Sequence, residues 1–318
     1  MTDYHKSVIE YIFPTTLVSI EAYKERKSVA AQILTALGKW WGRKPLCYVR
    51  AVLLGILMPA SGNMEKDLDI YLKLIGLDDR ELERRKNKTI EPWLKYQYMS
   101  EAERKKYGAE VTYTGSDTEL MHLLRQLAFD KATQEEKPRD FKIAFKNLTK
   151  DTARELELSV FHRLPYDLKI RYCEGLDKVD NLSKETWKEI NDYLGTNAHS
   201  YPEFVEQMGK KRFGEVPTVG DPFCGGGSIP FEAARLGFNV YASDLNPLAA
   251  ALTWSAVNLL SLPEDKIKEL EDFQKRVYKL ADNQVTEWGI EHNRKGHRAK
   301  AYIYLNEVVC PDCGWRIP

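Results

Sequence analysis

A glycine-rich turn set in an almost uncharged stretch constrains this chain more than any other feature. From Val216 to Leu260 only four of 45 residues are charged: Asp221, Glu232, Arg235 and Asp244. Val216–Gly220 predicts a short strand, Asp221–Gly227 a tight loop, and Ser228–Leu236 a helix stopped by Gly237. Phe238–Ser243 predicts a second strand, Asp244–Pro247 a turn, and Leu248–Leu260 another helix. This order is that of the first half of a Rossmann-like α/β sheet.

The rest of the chain reads differently. From Arg80 to Glu110, 15 of 31 residues are charged, which suits solvated helices and connections. Val8, Ile9, Ile12 and Phe13 have helical spacing, interrupted by Pro14. A helix is expected over Ala22–Leu37, and an apolar one over Leu46–Met58, stopped by Pro59. Residues 61–200 read as mostly helical, with Lys150–Leu158 and Lys184–Leu194 the best candidates. A charged helix is expected over Glu264–Asn283 and a strand over Ala301–Val309. The expected segments are therefore 1–60, a helical N-terminal piece, and 61–203, a mainly helical insertion or target-recognition-like region. They continue with 204–262, the Rossmann half, and 263–318, a helix, a strand and the start of a cysteine knuckle.

Composition excludes several classes. With 318 residues, 43% hydrophobic, the chain can bury a sizeable core, and its length suggests about two domains. Its 47 basic and 47 acidic residues cancel, so bulk charge marks no nucleic-acid binder, although a local basic face remains open. No apolar run approaches the length of a membrane span, and Met1–Lys6 shows no signal-peptide pattern, so a cytoplasmic protein with no membrane partner is expected. Five cysteines, an odd number, argue against a disulfide framework.

The loop Asp221-Pro-Phe-Cys-Gly-Gly-Gly-Ser228 places bare backbone and a helix N-terminus at one spot, where a ligand can approach closely. Asp244 stands 19 residues after Gly225, where a carboxylate accepts hydrogen bonds from ribose hydroxyls. No Gly-Lys-Ser/Thr follows, which excludes a triphosphate loop. The acid before the glycines would repel a pyrophosphate but suits a cationic methionine moiety. S-adenosylmethionine (SAM) is therefore the expected cofactor. A dinucleotide, or a packing turn in an unrelated α/β domain, is the alternative.

The stretch Asp221–Gly237 together with Ser243-Asp-Leu-Asn-Pro247 resembles the SAM site of adenine-specific DNA methylases that contain a zinc ribbon. Ser7-Val-Ile-Glu10, Ser19–Ser28 and Trp40-Trp-Gly-Arg-Lys-Pro-Leu46 are similar to the N-terminal domain of unknown function in that family. The likeness covers residues 7–60 and 215–260 well and the middle only by position. It implies that Asp221, Pro222, Phe223, Gly225 and Gly227 line the cofactor, with Asp244 on the ribose and Leu245 on the adenine. It also implies that the stretch with Trp41, Lys44 and Pro45 helps hold the methionine end, and that DNA is the substrate. Read by themselves, Trp40 and Trp41 suit stacking or a core equally, and Arg43 and Lys44 suit phosphate or plain solvent. Cys224 reads as a small side chain in a crowded loop.

Cys310-Pro-Asp-Cys-Gly314 has the form of a zinc knuckle, two thiolates on a tight turn that fill half a tetrahedral site. His292 and His297 lie upstream at an unfamiliar spacing. A zinc site of this chain alone, one completed by further polypeptide, and a redox or vacant pair all fit; the resemblance favours the second.

Methylation of adenine N6 also needs the flipped base held and its developing charge stabilised. In the resembling family an Asn/Asp-Pro-Pro-Tyr/Phe motif does this, and no Pro-Pro occurs here. Only 74 residues follow Asp244, whereas the rest of a methylase sheet needs upwards of about 100. The expectation is a SAM-binding portion of an adenine-N6 DNA methyltransferase, inactive alone and completed by a second polypeptide or C-terminal segment. Its rivals are an RNA guanine-N2 methyltransferase and a non-catalytic SAM-binding scaffold subunit of a restriction or phage-defence complex.

Overall fold

The computed structural model describes residues 6–28, 33–113, 143–259, 262–299, 301 and 306–317. The chain is a mainly helical α/β protein. It divides into two compact units, residues 1–257 and 258–318, so the expected segments 1–60 and 61–203 and most of 204–262 share one packed body.

The first unit opens with a 3-10 turn, Val8–Glu10, closed by a Ser7/Glu10 capping box. Helix α1 runs Thr15–Lys27 and ends at Ser28. This corrects the expected helix over Ala22–Leu37: Pro14 introduces the helix rather than interrupting one, and a separate 3-10 turn covers Ile33–Ala36. Residues 29–32 lie outside the described set. The reason for the shift is that α1 buries charge. Glu21 and Glu25 are inside, a pattern hydrophobic periodicity cannot detect.

Helix α2 (Leu46–Leu57) is the spine of this unit, with eight of its 12 residues buried. Its Leu54 and Leu57 share the main core with Tyr71, Trp187, Ile190, Tyr201, Phe204 and Leu236 of other helices. The helices that carry those residues are α3 (Met64–Leu74), α9 (Lys184–Leu194), α10 (Tyr201–Phe213) and α11 (Ser228–Leu236). Between them in sequence lie α4 (Asp79–Arg85), α5 (Pro92–Tyr98), α6 (Glu101–Tyr107), α7 (Lys150–Arg163) and the short α8 (Tyr166–Lys169). Much of that region packs around a second core of Leu82, Ile90, Leu94, Val160 and Phe161. A short antiparallel pair, β1 (Val111–Tyr113) with β2 (Ile143–Phe145), sits in the same stretch.

Strands β3 (Thr218–Asp221) and β4 (Asn239–Ala242) pair in parallel, joined through α11. Their register sets Val219 beside Val240 and Asp221 beside Ala242. Val219 and Val240 pack on the main core, while Thr218, Gly220, Asn239 and Tyr241 face outward. Helix α12 (Pro247–Asn258) follows.

In the second unit, helix α13 runs Glu264–Trp288, longer than expected, with no buried residue. A hairpin over Glu291–Ala299 is held by Asn293 and His297. Strands β5 (Val308–Val309) and β6 (Arg316–Ile317) pair antiparallel around the cysteine turn. Of the strand expected over Ala301–Val309, residues 302–305 lie outside the described set, and only Val308–Val309 is strand among the rest. No helix among the described residues is long and apolar enough to cross a membrane.

Candidate ligand site at the glycine loop

The loop after β3 is shaped by its own side chains. Asp221 Oδ1 accepts the Phe223 N–H at 3.2 Å, an Asx turn that bends the chain off the strand. The Cys224 N–H donates to Ser243 O at 3.0 Å, which ties the loop to the end of β4. Gly227 caps α11 at φ +79°, where a side chain would be strained. A Cβ there would also lie 2.9 Å from Thr253 Oγ1 of α12. Buried Cys224 lies 3.3 Å from the same hydroxyl, as its reading as a small packing side chain requires.

Asp244 closes the loop from the other strand. Its Oδ2 accepts the Gly225 N–H at 2.8 Å and its Oδ1 the Asn246 N–H at 2.9 Å. The N–H of Asn246, then that of Gly225, hold its pKa below the ordinary carboxylate value. Each carboxylate oxygen accepts through two lone pairs, so the ionised group keeps capacity for a ligand hydroxyl.

A segment 180 residues earlier packs onto this loop. A Cβ at Gly226 would fall 2.8 Å from Trp40 Cβ and 2.7 Å from Arg43 Nε; one at Gly225 would fall 2.9 Å from Trp40 Nε1. Only glycine lets the loop backbone lie so close to these side chains. Lys44, Pro45 and Arg43 share a small crevice with Glu25 and Ser228, the first residue of α11. Nε, Nη1 and Nη2 of Arg43 are shielded from solvent and have no hydrogen-bond partner among the described residues. Burial holds the Arg43 pKa below the usual arginine value. A solvent-shielded guanidinium without an acceptor is costly, so the place favours an anion.

Among the residues expected at the cofactor, Asp221, Gly225, Gly227 and Asp244 thus form one loop system, with Lys44 and Pro45 beside it. Pro222 is exposed, Phe223 is 79% exposed and Leu245 is 95% exposed. Trp41 is 83% exposed under Lys39, and its neighbour Trp40 is the indole that meets the loop. Gly226, Arg43, Ser228 and Thr253 are the additions. The central glycine of the triplet was a visible signal for the first; nothing in sequence marks Thr253.

The cysteine turn is ordered as a knuckle. Cys310 N–H donates to Trp315 O at 2.8 Å and Gly314 N–H to Cys310 O at 3.0 Å. The N–H groups of Asp312 and Cys313, then the Cys313 side chain, hold the Cys310 thiol below its ordinary pKa, which favours the thiolate a metal needs. No group of three or more metal-ligating side chains exists among the described residues. A separate cavity of about 730 Å³ is bounded by Ser61, Asp67 and Tyr193. Their polar groups already bond to one another there.

A family model described as "Protein of unknown function (DUF1156)" matches residues 12–85, a span from the end of the first 3-10 turn through α4 that includes the Trp40–Leu46 stretch. No curated protein and no solved structure matches the chain.

Proposed function

We propose that the glycine loop, Asp244 and the Trp40–Pro45 stretch form a SAM site in the incomplete Rossmann-like half of an adenine-N6 DNA methyltransferase. The observation that carries this reading is a pair of complementary groups at one loop. Asp244 is an anchored anion beside the Gly225 backbone, and Arg43 beside Gly226 carries a solvent-shielded guanidinium without an acceptor among the described residues. SAM carries ribose hydroxyls for the first and a methionine carboxylate for the second. Bound there, SAM supplies an activated methyl group to an adenine amino nitrogen. The residues of this chain would bind and orient it: Asp244 would receive the ribose, Arg43 the carboxylate, and Asp221 would offer a negative charge to the sulfonium. Leu245 and Phe223, left open to solvent, supply apolar surface for the adenine ring.

The parallel pair β3–β4 supports the same reading. Parallel sheets are normally covered on both faces, yet one face here, with Tyr241, is open. We assign the covering strands, and the groups that hold the target base, to polypeptide outside these 318 residues. On this reading zinc at Cys310 and Cys313 is likewise completed by ligands from that polypeptide.

Titration calorimetry with SAM tests the site. Micromolar binding is expected for the wild type, with at least about tenfold weakening in Asp244→Ala and in Arg43→Gln. No binding by the folded wild type, or unchanged binding in both variants, would sink the proposal. Transfer of labelled methyl to DNA, in the presence of the completing polypeptide, tests the substrate; label appearing only in RNA would overturn that part.

A further inference from the structure

Helix α13 carries a seam that no described residue of its own unit buries. Its 25 residues include no buried one, and Ile267, Leu270, Phe273, Val277, Leu280 and Trp288 are all exposed. Ile267, Leu270, Gln274, Val277, Ala281, Gln284 and Trp288 repeat at alternating steps of three and four, the spacing of coiled-coil a and d positions. Phe273 and Leu280 flank this line at g positions. The hairpin touches the helix elsewhere, through the Arg298–Asp282 ion pair at 2.6 Å, and Asp282 falls at a b position off the seam.

We propose that α13 pairs antiparallel with α13 of a second copy of this chain. Charge selects this occupant. The helix has seven acidic and five basic residues, so its polar face lacks the basic excess of a membrane-surface or nucleic-acid helix. An antiparallel pair centred between Gln274 and Val277 sets Lys266 against the second copy's Glu287, twice per dimer, and faces no like charges across the flanks. The same register sets Leu270 on Ala281, Gln274 on Val277 and Phe273 on Leu280, large against small, and opposes the two helix dipoles. A parallel pair would set Ala281 on Ala281, leaving a void, and align the dipoles.

Sedimentation of the full chain over a wide concentration range tests this. A reversible dimer is expected. Leu270→Asp with Val277→Asp should abolish it, and because neither residue is buried the double variant should match the wild type in thermal unfolding at concentrations too low for the wild type to pair. Lys266→Glu should weaken the dimer about tenfold, and adding Glu287→Lys should restore it. In a parallel pair Lys266 would face Glu271, and the second change would not rescue. A wild-type monomer at every concentration overturns the proposal. So does a dimer indifferent to the Asp substitutions, a failed rescue, or a wild-type monomer that pellets with phosphatidylserine vesicles.

Discussion

Helices α2 and α13 both carry strong apolar patterns, yet eight of the 12 residues of α2 are buried and none of α13 is. What separates them is polar complementarity rather than apolar content. Helix α2 meets its surroundings through placed charges. Glu25 of α1 accepts the N–H groups of Leu46 and Cys47 at 2.7 and 3.1 Å, capping a buried helix start. Arg50 pairs with Glu232 of α11 at 2.7 Å, with both side chains essentially inaccessible. Gly55 lets the Tyr71 hydroxyl pass so close that a Cβ would sit 2.6 Å away, and that hydroxyl donates to Ala51 O. Helix α13 has pairs such as the exposed Lys266–Glu269 and no buried one among the described residues, and Pro263 caps it without a side-chain hydrogen bond. Hydrophobic spacing brings a helix to a surface; buried polar partners decide which surface.

The largest expected effect breaks the α2 side of this contrast. Glu232→Ala leaves Arg50 buried opposite a void and also removes the partner of Arg235 at 2.9 Å. A loss of about 3–5 kcal/mol in urea unfolding is expected, because one member of a buried pair is stranded. A loss under about 1 kcal/mol would show the pair to be incidental. Next in size is Gly226→Ala. This glycine has no left-handed φ, so the effect is steric: the new methyl must displace Trp40 or Arg43. A cost of about 1–3 kcal/mol is expected in the same assay, together with weaker SAM binding. Unchanged stability would mean that the Trp40 stretch does not rest on the loop.

These two sites also mark what sequence could reveal. Helix boundaries set by strong local signals were legible: Lys184–Leu194 ends at Gly195 in the left-handed region, and the strand–loop–helix around Asp221–Leu236 lies where glycines and apolar runs place it. The place of Asp244 against the glycine loop was legible because its spacing from the glycines is a local property. Arg43 was not distinguishable from a surface cation, since its burial depends on contacts 183 residues away at Gly226. Helix α1 was misplaced for the same reason. Its inward face carries Glu21, paired with Arg85, Lys24, donating to Ile170 O at 2.6 Å, and Glu25, so it looks solvated in one dimension.

A smaller effect sharpens the role of the Glu25 cap. Burial first, against the pull of the Leu46 and Cys47 N–H groups, raises the Glu25 pKa above its ordinary value of 4.5. In the window above that value the folded state binds more protons than the unfolded one, so this group makes stability fall as pH rises. Glu25→Gln removes the slope and loses one of two acceptors, about 1 kcal/mol. The variant should be less stable than wild type near pH 4.5, with the gap narrowing as pH increases. A gap that widens with pH would reverse the sign and show a carboxylate stabilised as an anion. Glu103 supplies that opposite case within the same fold. Burial raises its pKa, but hydrogen bonds from Arg163 and the Ser100 N–H outweigh this and bring it to about 2. Its contribution is present above pH 4.5 and drains away as pH falls toward 2, so Glu103→Gln should cost most at neutral pH.

The smallest effect lies on α13 and completes the contrast. Leu280 is as apolar as Leu54 of α2 but is exposed, whereas Leu54 is fully buried. Leu54→Ala should cost about 2–5 kcal/mol through lost burial and a residual cavity. Leu280→Ala removes the same atoms from water-facing surface and adds a better helix former, so a change within about 0.5 kcal/mol is expected in dilute solution. At concentrations where two α13 helices pair, the same substitution removes its contact with Phe273 of the second copy and should weaken the dimer. A stability loss that is already large in dilute solution would mean that Leu280 is buried within a single chain, and α13 would then resemble α2 rather than oppose it.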